Sequence, residues 1–203
     1  KVALIFFREN YTPAPPIGIL YIGTVLKQLG HDVLVIDSFP GYYGKNIDEV
    51  CEFEPDLVGL SVLTTGHRIA VEQTKILKSR LENTPVVWGG VHPTSIPVDI
   101  LERVPETDFV VVGEGEETMV EVCSILSANN NLAALNGIKG VVYRDQSGSI
   151  IDNGARGFDA DVDSIPIPDR SLLKTPEYSW YLSPPGIIRG QFLKGITTIY
   201  ASR

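Results

Sequence analysis

Short runs of apolar residues recur along the first part of the chain, and polar or glycine-rich segments separate them. Continuous apolar runs of strand length are typical of strands that a parallel sheet buries on both faces. Five such runs predict five strands, over residues 2–7, 33–36, 57–63, 86–88 and 108–112.

Apolar residues at helical spacing occupy the segments between these runs. One helix is expected to begin near Pro16 and to end at Gly30, with an apolar face formed by Ile17, Leu20, Tyr21, Val25 and Leu29. Further helices are predicted over residues 47–53, from Thr64 or Thr65 to about Leu81, near 98–103 and around 119–126. Strands that alternate with helices predict an α/β fold, a doubly wound five-stranded parallel sheet of the flavodoxin or Rossmann-like type. The simplest strand order is 2-1-3-4-5.

The pattern changes after residue 136. Two short strands, 138–144 and 149–152, are joined by Asp145-Gln-Ser-Gly148 and predict a β-hairpin. Residues 154–195 are rich in proline and glycine and predict a linker, and Ile196–Ala201 predicts one more strand. The predicted organisation is therefore a Rossmann-like domain over 1–136, a hairpin appended to it over 137–153, and over 154–203 a linker with the first strand of a further domain that this chain lacks.

Composition limits the kinds of partner that the chain is expected to bind. The 25 acidic residues outnumber the 17 basic ones and give a formal net charge of −8, so a nucleic-acid partner is not expected. The apolar runs are too short for membrane insertion. Cys51 and Cys123 fit no metal-binding spacing and are interpreted as core thiols of a reducing, cytoplasmic protein.

The loops that follow strands one, three, four and five should meet at the carboxyl edge of the sheet, where ligands bind in such folds. These loops are rich in glycine, serine and threonine. They contain no convincing nucleophile–base pair and no Walker loop, so no catalytic residue and no metal ligand is predicted. Small side chains at this edge instead predict a site that receives the long polar tail of a ligand.

The same loops carry short motifs in a fixed order. Ser61-Val62-Leu63 ends the third run, and Gly89-Gly90-Val91-His92-Pro93-Thr94 follows the fourth. Pro16-Ile17-Gly18-Ile19 opens the first helix, and Gly113-Glu114-Gly115-Glu116 follows the fifth run. Together with Thr198–Arg203, these motifs resemble the cobalamin-binding domain at the amino-terminal end of cobalamin-dependent radical S-adenosylmethionine enzymes. The resemblance covers nearly the whole chain, and Thr198–Arg203 is similar to the strand that precedes the Cys-x-x-x-Cys-x-x-Cys of those enzymes.

The resemblance implies that the chain binds cobalamin and that a radical S-adenosylmethionine barrel follows in the same polypeptide. It implies a methyltransferase acting on a small-molecule substrate, with the [4Fe-4S] cluster and S-adenosylmethionine held only by the missing carboxy-terminal domain. This chain alone is then expected to hold the cofactor but not to catalyse the reaction. The residues expected to contact cobalamin are Pro16, Ile17, Gly18, Ser61, Leu63, Thr64, Thr65, Gly89, Gly90, Val91, His92, Pro93, Gly113, Glu114, Gly115 and Glu116.

One departure from the related domains concerns the lower face of the cofactor. Many cobalamin domains carry Asp-x-His-x-x-Gly after the first strand, and its histidine replaces the cofactor's own base below cobalt. The corresponding loop here, residues 8–15, contains no histidine. The resemblance therefore implies a base-off, His-off binding mode.

Several of these residues have an alternative structural interpretation. Gly89-Gly90 could be an ordinary turn, and Thr64 or Thr65 is expected to cap the third helix. A lone loop histidine such as His92 is more often structural than a ligand, and His67 is interpreted as a surface residue. Glu114 and Glu116 suit the first turn of a helix, whose dipole favours acidic residues.

Two other functions remain open at this level. A binding module could have kept the fold and lost the cofactor, serving the barrel as a platform for a substrate or partner. A receiver-like or flavodoxin-like module is a more distant alternative, since the first strand lacks the paired acidic residues of a phospho-acceptor site.

Overall fold

The computed structural model describes residues 1–9, 15–129, 131–157 and 165–173 of the 203-residue chain. Seven strands are present in this part of the chain: β1 (Val2–Phe7), β2 (Val33–Ser38), β3 (Leu57–Ser61), β4 (Val86–Gly89), β5 (Phe109–Val111), β6 (Val141–Arg144) and β7 (Ile150–Asp152). The α-helices are α1 (Ile17–Gln28), α2 (Tyr43–Phe53), α3 (His67–Arg80), α4 (Val91–Ser95), α5 (Pro97–Arg103) and α6 (Glu116–Asn129).

All seven strands form one sheet in the order β2-β1-β3-β4-β5-β6-β7. Strands β1 to β5 are parallel, in the predicted order, whereas β6 pairs with β5 and β7 with β6 in antiparallel fashion. The predicted doubly wound α/β fold is confirmed, but the sheet is larger than the five strands expected. The hairpin extends this sheet, because β6 pairs along the edge of β5 that would otherwise be unpaired.

Helices cover both faces of the sheet, and each face has its own apolar core. Helices α2, α3 and α5 pack on one face around the buried Trp88 and Leu60. Helices α1 and α6 pack on the other face around Leu4, Val87 and Phe109. Burial on both faces explains why the parallel strands are continuously apolar in sequence.

The third helix begins later than predicted. It starts at His67 after the backbone of Gly66, with no side-chain cap, so the expected capping role of Thr64 or Thr65 is wrong. A Cβ at residue 66 would lie 3.2 Å from the carbonyl oxygen of Phe7. The chain must therefore pass close to the end of β1 before it can enter the helix, and the two threonines remain in an exposed turn.

The apolar face of α1 also differs from the prediction. Leu29 is 58% exposed, while Gly23 and Thr24 are buried. The reason is a segment of the predicted linker, residues 165–173, that packs on α1: a Cβ at residue 23 would lie 3.2 Å from Leu172 Cδ1. Position 23 is therefore a contact position that periodicity of apolar residues could not identify.

Two polar contacts and one strand bridge hold segment 165–173 in place. The Asp169 backbone N–H donates to Thr24 Oγ1 at 2.7 Å, and Lys27 Nζ lies 2.9 Å from Asp169 Oδ2. Leu173 forms a parallel bridge with Val35 of the edge strand β2. The predicted strand Ile196–Ala201 lies outside the described residues.

Within the described ranges, none of the helices combines the length and the apolar character that a membrane crossing demands.

Candidate functional site at the carboxyl edge of the sheet

The predicted site residues gather at the carboxyl edge of the parallel strands. Ser61, the last residue of β3, pairs in register with Gly89, the last residue of β4. The next residue, Val62, donates its backbone N–H to the Gly89 carbonyl oxygen at 2.8 Å, and the His92 N–H donates to the Val62 carbonyl oxygen at 3.2 Å. The loops after β3 and β4 are therefore joined along their backbones beyond the end of the sheet.

Gly90 lies at the closest point between these loops. Its φ of 94° and ψ of −177° belong to a region that essentially only glycine adopts. A Cβ at this position would lie 3.1 Å from Ser61 Oγ and 3.1 Å from both the nitrogen and the oxygen of Val62. The interpretation of Gly89-Gly90 as an ordinary turn accounts for the φ at residue 90 but not for its contact with Ser61.

Exposed side chains border this junction. Leu63 is 43% exposed and Val91 is 64% exposed, although both are apolar. Thr64 and Thr65, which follow Leu63, are also exposed, and neither side chain hydrogen-bonds to another described residue. Two apolar side chains and two free hydroxyls form a surface suited to a bulky ligand with both apolar and polar parts.

The first turn of α1 lies at the same edge. Pro16 precedes the helix at the N-cap position, and Ile17 is buried beneath it. Gly18 is exposed, and a Cβ there would meet no atom within 4 Å. The backbone of α1 is therefore open at Gly18, and a Cβ added there would not clash with the rest of the described protein.

The loop between β5 and α6 adds the remaining predicted residues. The Gly113 N–H donates to Thr94 Oγ1 at 3.1 Å, which links this loop to α4. A Cβ at residue 115 would lie 2.9 Å from Ile22 Cδ1, so Gly115 permits contact between the loop and α1. Glu116 is 7% exposed in the first turn of α6, as expected for an acidic residue at a helix amino terminus.

His92, the second residue of α4, contacts a residue that the sequence did not indicate. His92 Nε2 lies 3.0 Å from His67 Nδ1 at the start of α3, and the His67 ring packs edge-on against Trp88 with ring centres 5.8 Å apart. His67 is half-buried, so its interpretation as a surface residue is wrong. Burial and the neighbouring imidazole lower the pKa of His92. No apolar or polar periodicity links positions 25 residues apart, so the pair could not be identified from the sequence.

A buried ion pair closes the end of the site near β1. Arg8 donates from Nε to Asp37 Oδ1 at 2.5 Å and from Nη2 to Oδ2 at 2.7 Å. The guanidinium carbon lies 4.9 Å from the ring centre of Phe6 and 5.1 Å from that of Phe39, and the Tyr43 hydroxyl donates to the Arg8 carbonyl oxygen. Burial raises the pKa of Asp37 to about 6, although the hydrogen bonds and charge of Arg8 act to lower it.

Two further features of the described residues bear on the choice of site. The ranges that the structure covers contain no group of three or more His, Cys, Asp or Glu side chains arranged to hold a metal ion. A cavity of about 490 Å³ lies at the opposite edge of the sheet, bordered by Leu57, Thr84 and Cys123. Because ligands of parallel α/β sheets bind at the carboxyl edge, the region beside Ser61 and Gly90 is the candidate site.

Comparison with known proteins identifies relatives of the chain. The chain is 34% identical over 185 residues to an anaerobic magnesium-protoporphyrin IX monomethyl ester cyclase of Synechocystis, covering 89% of this chain and 36% of the relative. It is 33% identical over 179 residues to an uncharacterized methyltransferase of Pyrococcus horikoshii, covering 87% of this chain and 38% of the relative. The chain thus spans little more than a third of the length of these relatives.

Solved structures show the same fold. The cobalamin-dependent S-adenosylmethionine radical enzyme OxsB, with aqua-cobalamin and S-adenosylmethionine bound, matches with a TM-score of 0.65 and 25% identity over 77% of this chain and 22% of that one. The radical S-adenosylmethionine methyltransferase TsrM from Kitasatospora setae matches with a TM-score of 0.65 and 21% identity over 75% of this chain and 30% of that one.

A family model described as the B12 binding domain matches residues 5–123, which is more than half of the chain. The resemblance inferred from the loop motifs is thereby confirmed, and the chain belongs to the B12 binding domain family.

Proposed function

We propose that the chain binds cobalamin at the carboxyl edge of the sheet and serves as the methyl-carrying domain of a radical S-adenosylmethionine methyltransferase. The observation that carries the proposal is the contact of Gly90 with Ser61, which joins two loops beside the exposed side chains of Leu63 and Val91. Cobalamin, when bound, supplies the cobalt that accepts and donates a methyl group.

The residues present fit a corrinoid with a long nucleotide tail. Gly18 and Gly113 have no protein atom within 4 Å of the position that a Cβ would take, so their backbones are accessible to a ligand. The hydroxyls of Thr64 and Thr65 can donate to, or accept from, the amide and phosphate groups of the cofactor. Leu63 and Val91 can shield its apolar ring from water.

The methyltransferase assignment extends beyond the chain itself. The relatives named above include a methyltransferase and a cyclase, and each is much longer than this chain. We infer that a radical S-adenosylmethionine barrel in the same polypeptide holds the [4Fe-4S] cluster and S-adenosylmethionine and acts on a small-molecule substrate. The role of this domain is then to bind and orient the cofactor.

We further propose that cobalamin binds base-off and His-off. The chain contains three histidines, and the sequence between β1 and α1 includes none of them. His92 is already hydrogen-bonded to His67. The cobalt(II) form of the complex should therefore show no splitting from an axial nitrogen in its electron paramagnetic resonance spectrum. A three-line nitrogen splitting would contradict this binding mode.

Matched glycine substitutions test the site. Gly18 is the second residue of α1 and Gly44 is the second residue of α2; both are exposed, and neither would bring a new Cβ within 4 Å of another atom. Leucine at either position should preserve folding, since glycine is a poor helix former. The chain is mixed with hydroxocobalamin, desalted and examined by visible spectroscopy.

We expect wild type and Gly44→Leu to retain the cofactor and Gly18→Leu to lose it, because only the latter side chain would occupy the proposed site. Equal retention by all three would place the cofactor elsewhere. A colourless wild-type chain would favour the cofactor-free module instead.

A further inference from the structure

Two imidazoles from different elements meet beside the candidate site. His92 is the second residue of α4, and His67 is the first residue of α3. Their ring centres are 4.8 Å apart at an interplanar angle of 67°, with His92 Nε2 and His67 Nδ1 at 3.0 Å. At this distance one nitrogen donates a proton to the other, so each ring must hold a defined tautomer and at most one ring can be charged without losing the bond.

His67 has a fixed position from which to hold His92. Its ring packs edge-on against Trp88, which is fully buried and donates from Nε1 to Thr74 Oγ1 at 3.0 Å. Thr74 lies in α3, the same helix as His67. The rigid core therefore determines where the Nδ1 atom of His67 points.

Further contacts join segment 89–92 to Ser61, the last residue of β3, and to Val62, which follows it. The His92 N–H donates to the Val62 carbonyl oxygen, and Gly90 packs against Ser61. The imidazole of His92 adds a side-chain hydrogen bond from this segment to His67 of α3. Together these contacts hold the segment from Gly89 to His92 between two elements, so its backbone can face a ligand in a single conformation.

We propose that His67 is a positioning residue: by hydrogen-bonding His92 it holds the 89–92 backbone in the shape that receives the tail of the cofactor. This inference rests on the proposed function for the identity of the ligand, but not for the bracing of the loop.

Acid should weaken the hydrogen bond between His67 and His92. At neutral pH the lowered pKa of His92 keeps its ring uncharged and able to share a proton with His67. Asp99 of α5 acts in the opposite direction on His92, and it is paired with Arg103 at 2.7 Å. On α3, the residue after His67 is Arg68, which pairs with Glu72 at 2.8 Å. The bond requires one of the two facing nitrogens to accept, so protonation of the accepting nitrogen removes it.

Three variants separate this role from simple packing. His67→Phe keeps a ring against Trp88 but removes the hydrogen bond, whereas His67→Asn keeps a polar atom near the position of Nδ1. His31→Asn is the control, because His31 lies before β2 at the opposite edge of the sheet. Amide hydrogen exchange of His92 is measured without cofactor, and hydroxocobalamin affinity is measured at pH 7.5 and pH 5.5.

For His67→Phe we expect about tenfold faster exchange at His92, about tenfold weaker cobalamin binding at pH 7.5, and little further change at pH 5.5. Wild type and His31→Asn should bind tightly at pH 7.5 and lose affinity at pH 5.5. His67→Asn should recover most of the affinity at pH 7.5 without the dependence on pH.

Unchanged exchange and an unchanged pH profile in His67→Phe would overturn the positioning role. If the wild-type chain takes up no cobalamin, the proposed function fails, while faster His92 exchange in the variant would still establish the brace. The two failures are therefore distinguishable.

Discussion

Gly90 lies against Ser61 so closely that a Cβ at residue 90 would be 3.1 Å from the serine hydroxyl oxygen. Gly90 follows β4 and Ser61 is the last residue of β3, and their contact joins the two segments that carry most of the predicted cofactor-binding residues. The separation between the loops is thus determined by the absence of one side chain.

Gly90→Ala should therefore destabilise the chain. The new methyl group would require an unfavourable backbone conformation and would crowd two backbone atoms of Val62, for an expected loss of about 1–3 kcal/mol in the free energy of unfolding. Gly89→Ala is the control, because a Cβ there would make ordinary contacts of 3.7 Å and 3.9 Å with Val111. Urea unfolding measures both, and equal stability of the two variants would contradict this explanation.

The exposed threonines should matter for binding and not for folding. Because α3 begins without a side-chain cap, Thr64→Val and Thr65→Val are expected to change the free energy of unfolding by less than about 0.5 kcal/mol. The double variant should nevertheless bind hydroxocobalamin more weakly, since two hydroxyls that can reach the cofactor are lost. A loss of about 1 kcal/mol or more in urea unfolding would restore the capping role predicted from sequence.

Substitution of Arg8, the cation of the buried pair with Asp37, should lower the free energy of unfolding by an amount that depends on pH. Arg8→Met leaves the Asp37 carboxylate buried without its partner, and we expect a loss of about 3–5 kcal/mol at pH 7.5. The pKa of Asp37 is already raised to about 6 in the folded chain from its usual 3.8, and removal of Arg8 raises it further. The folded variant therefore takes up a proton at higher pH than the unfolded one, so stability is regained as pH falls.

Urea unfolding at pH 5 and pH 7.5 tests this pH dependence. Arg68→Met is the matched control, because Arg68 is exposed and its pair with Glu72 lies on the surface. An equal loss at both pH values in Arg8→Met would show that the guanidinium contributes through packing on Phe6 and Phe39 rather than through charge.

The packing of segment 165–173 on α1 should depend on the buried hydroxyl of Thr24. Thr24 Oγ1 donates to the Leu20 carbonyl oxygen at 2.6 Å and accepts from the Asp169 N–H at 2.7 Å. Thr24→Val preserves the shape of the side chain but leaves that N–H without its acceptor, for a loss of about 1–3 kcal/mol in the free energy of unfolding. Amide exchange of Asp169 should accelerate accordingly.

Lys27→Met separates the charge from the hydroxyl. The Lys27 and Asp169 side chains are 51% and 33% exposed, so their ion pair should contribute less than about 1 kcal/mol. If Lys27→Met accelerates exchange at Asp169 as much as Thr24→Val does, the ion pair and not the hydroxyl anchors the segment.

The alternation of apolar runs and helical segments determined the fold class. Strands buried on both faces must be apolar throughout, and parallel neighbours require helical crossovers, so the order β2-β1-β3-β4-β5 followed from local pattern and the handedness of connections. The same pattern placed the glycine- and hydroxyl-rich loops at the carboxyl ends of the strands. Their order along the chain was enough to indicate the family.

Contacts between distant positions were decided only by the tertiary structure. Arg8 and Asp37 are 29 residues apart, and Thr24 and Asp169 are 145 residues apart. Nothing in the local sequence of either partner specifies the other. The late start of α3 is of the same kind, because it depends on the close passage of Gly66 by Phe7, and so is the pairing of His67 with His92.

The sequence by itself therefore determined the main elements, their order and the sheet edge at which we propose that a ligand binds, because each of these follows from periodicity and chain connectivity. Tertiary structure decided which side chains brace that edge, because hydrogen bonds and close packing form between atoms that only folding brings together.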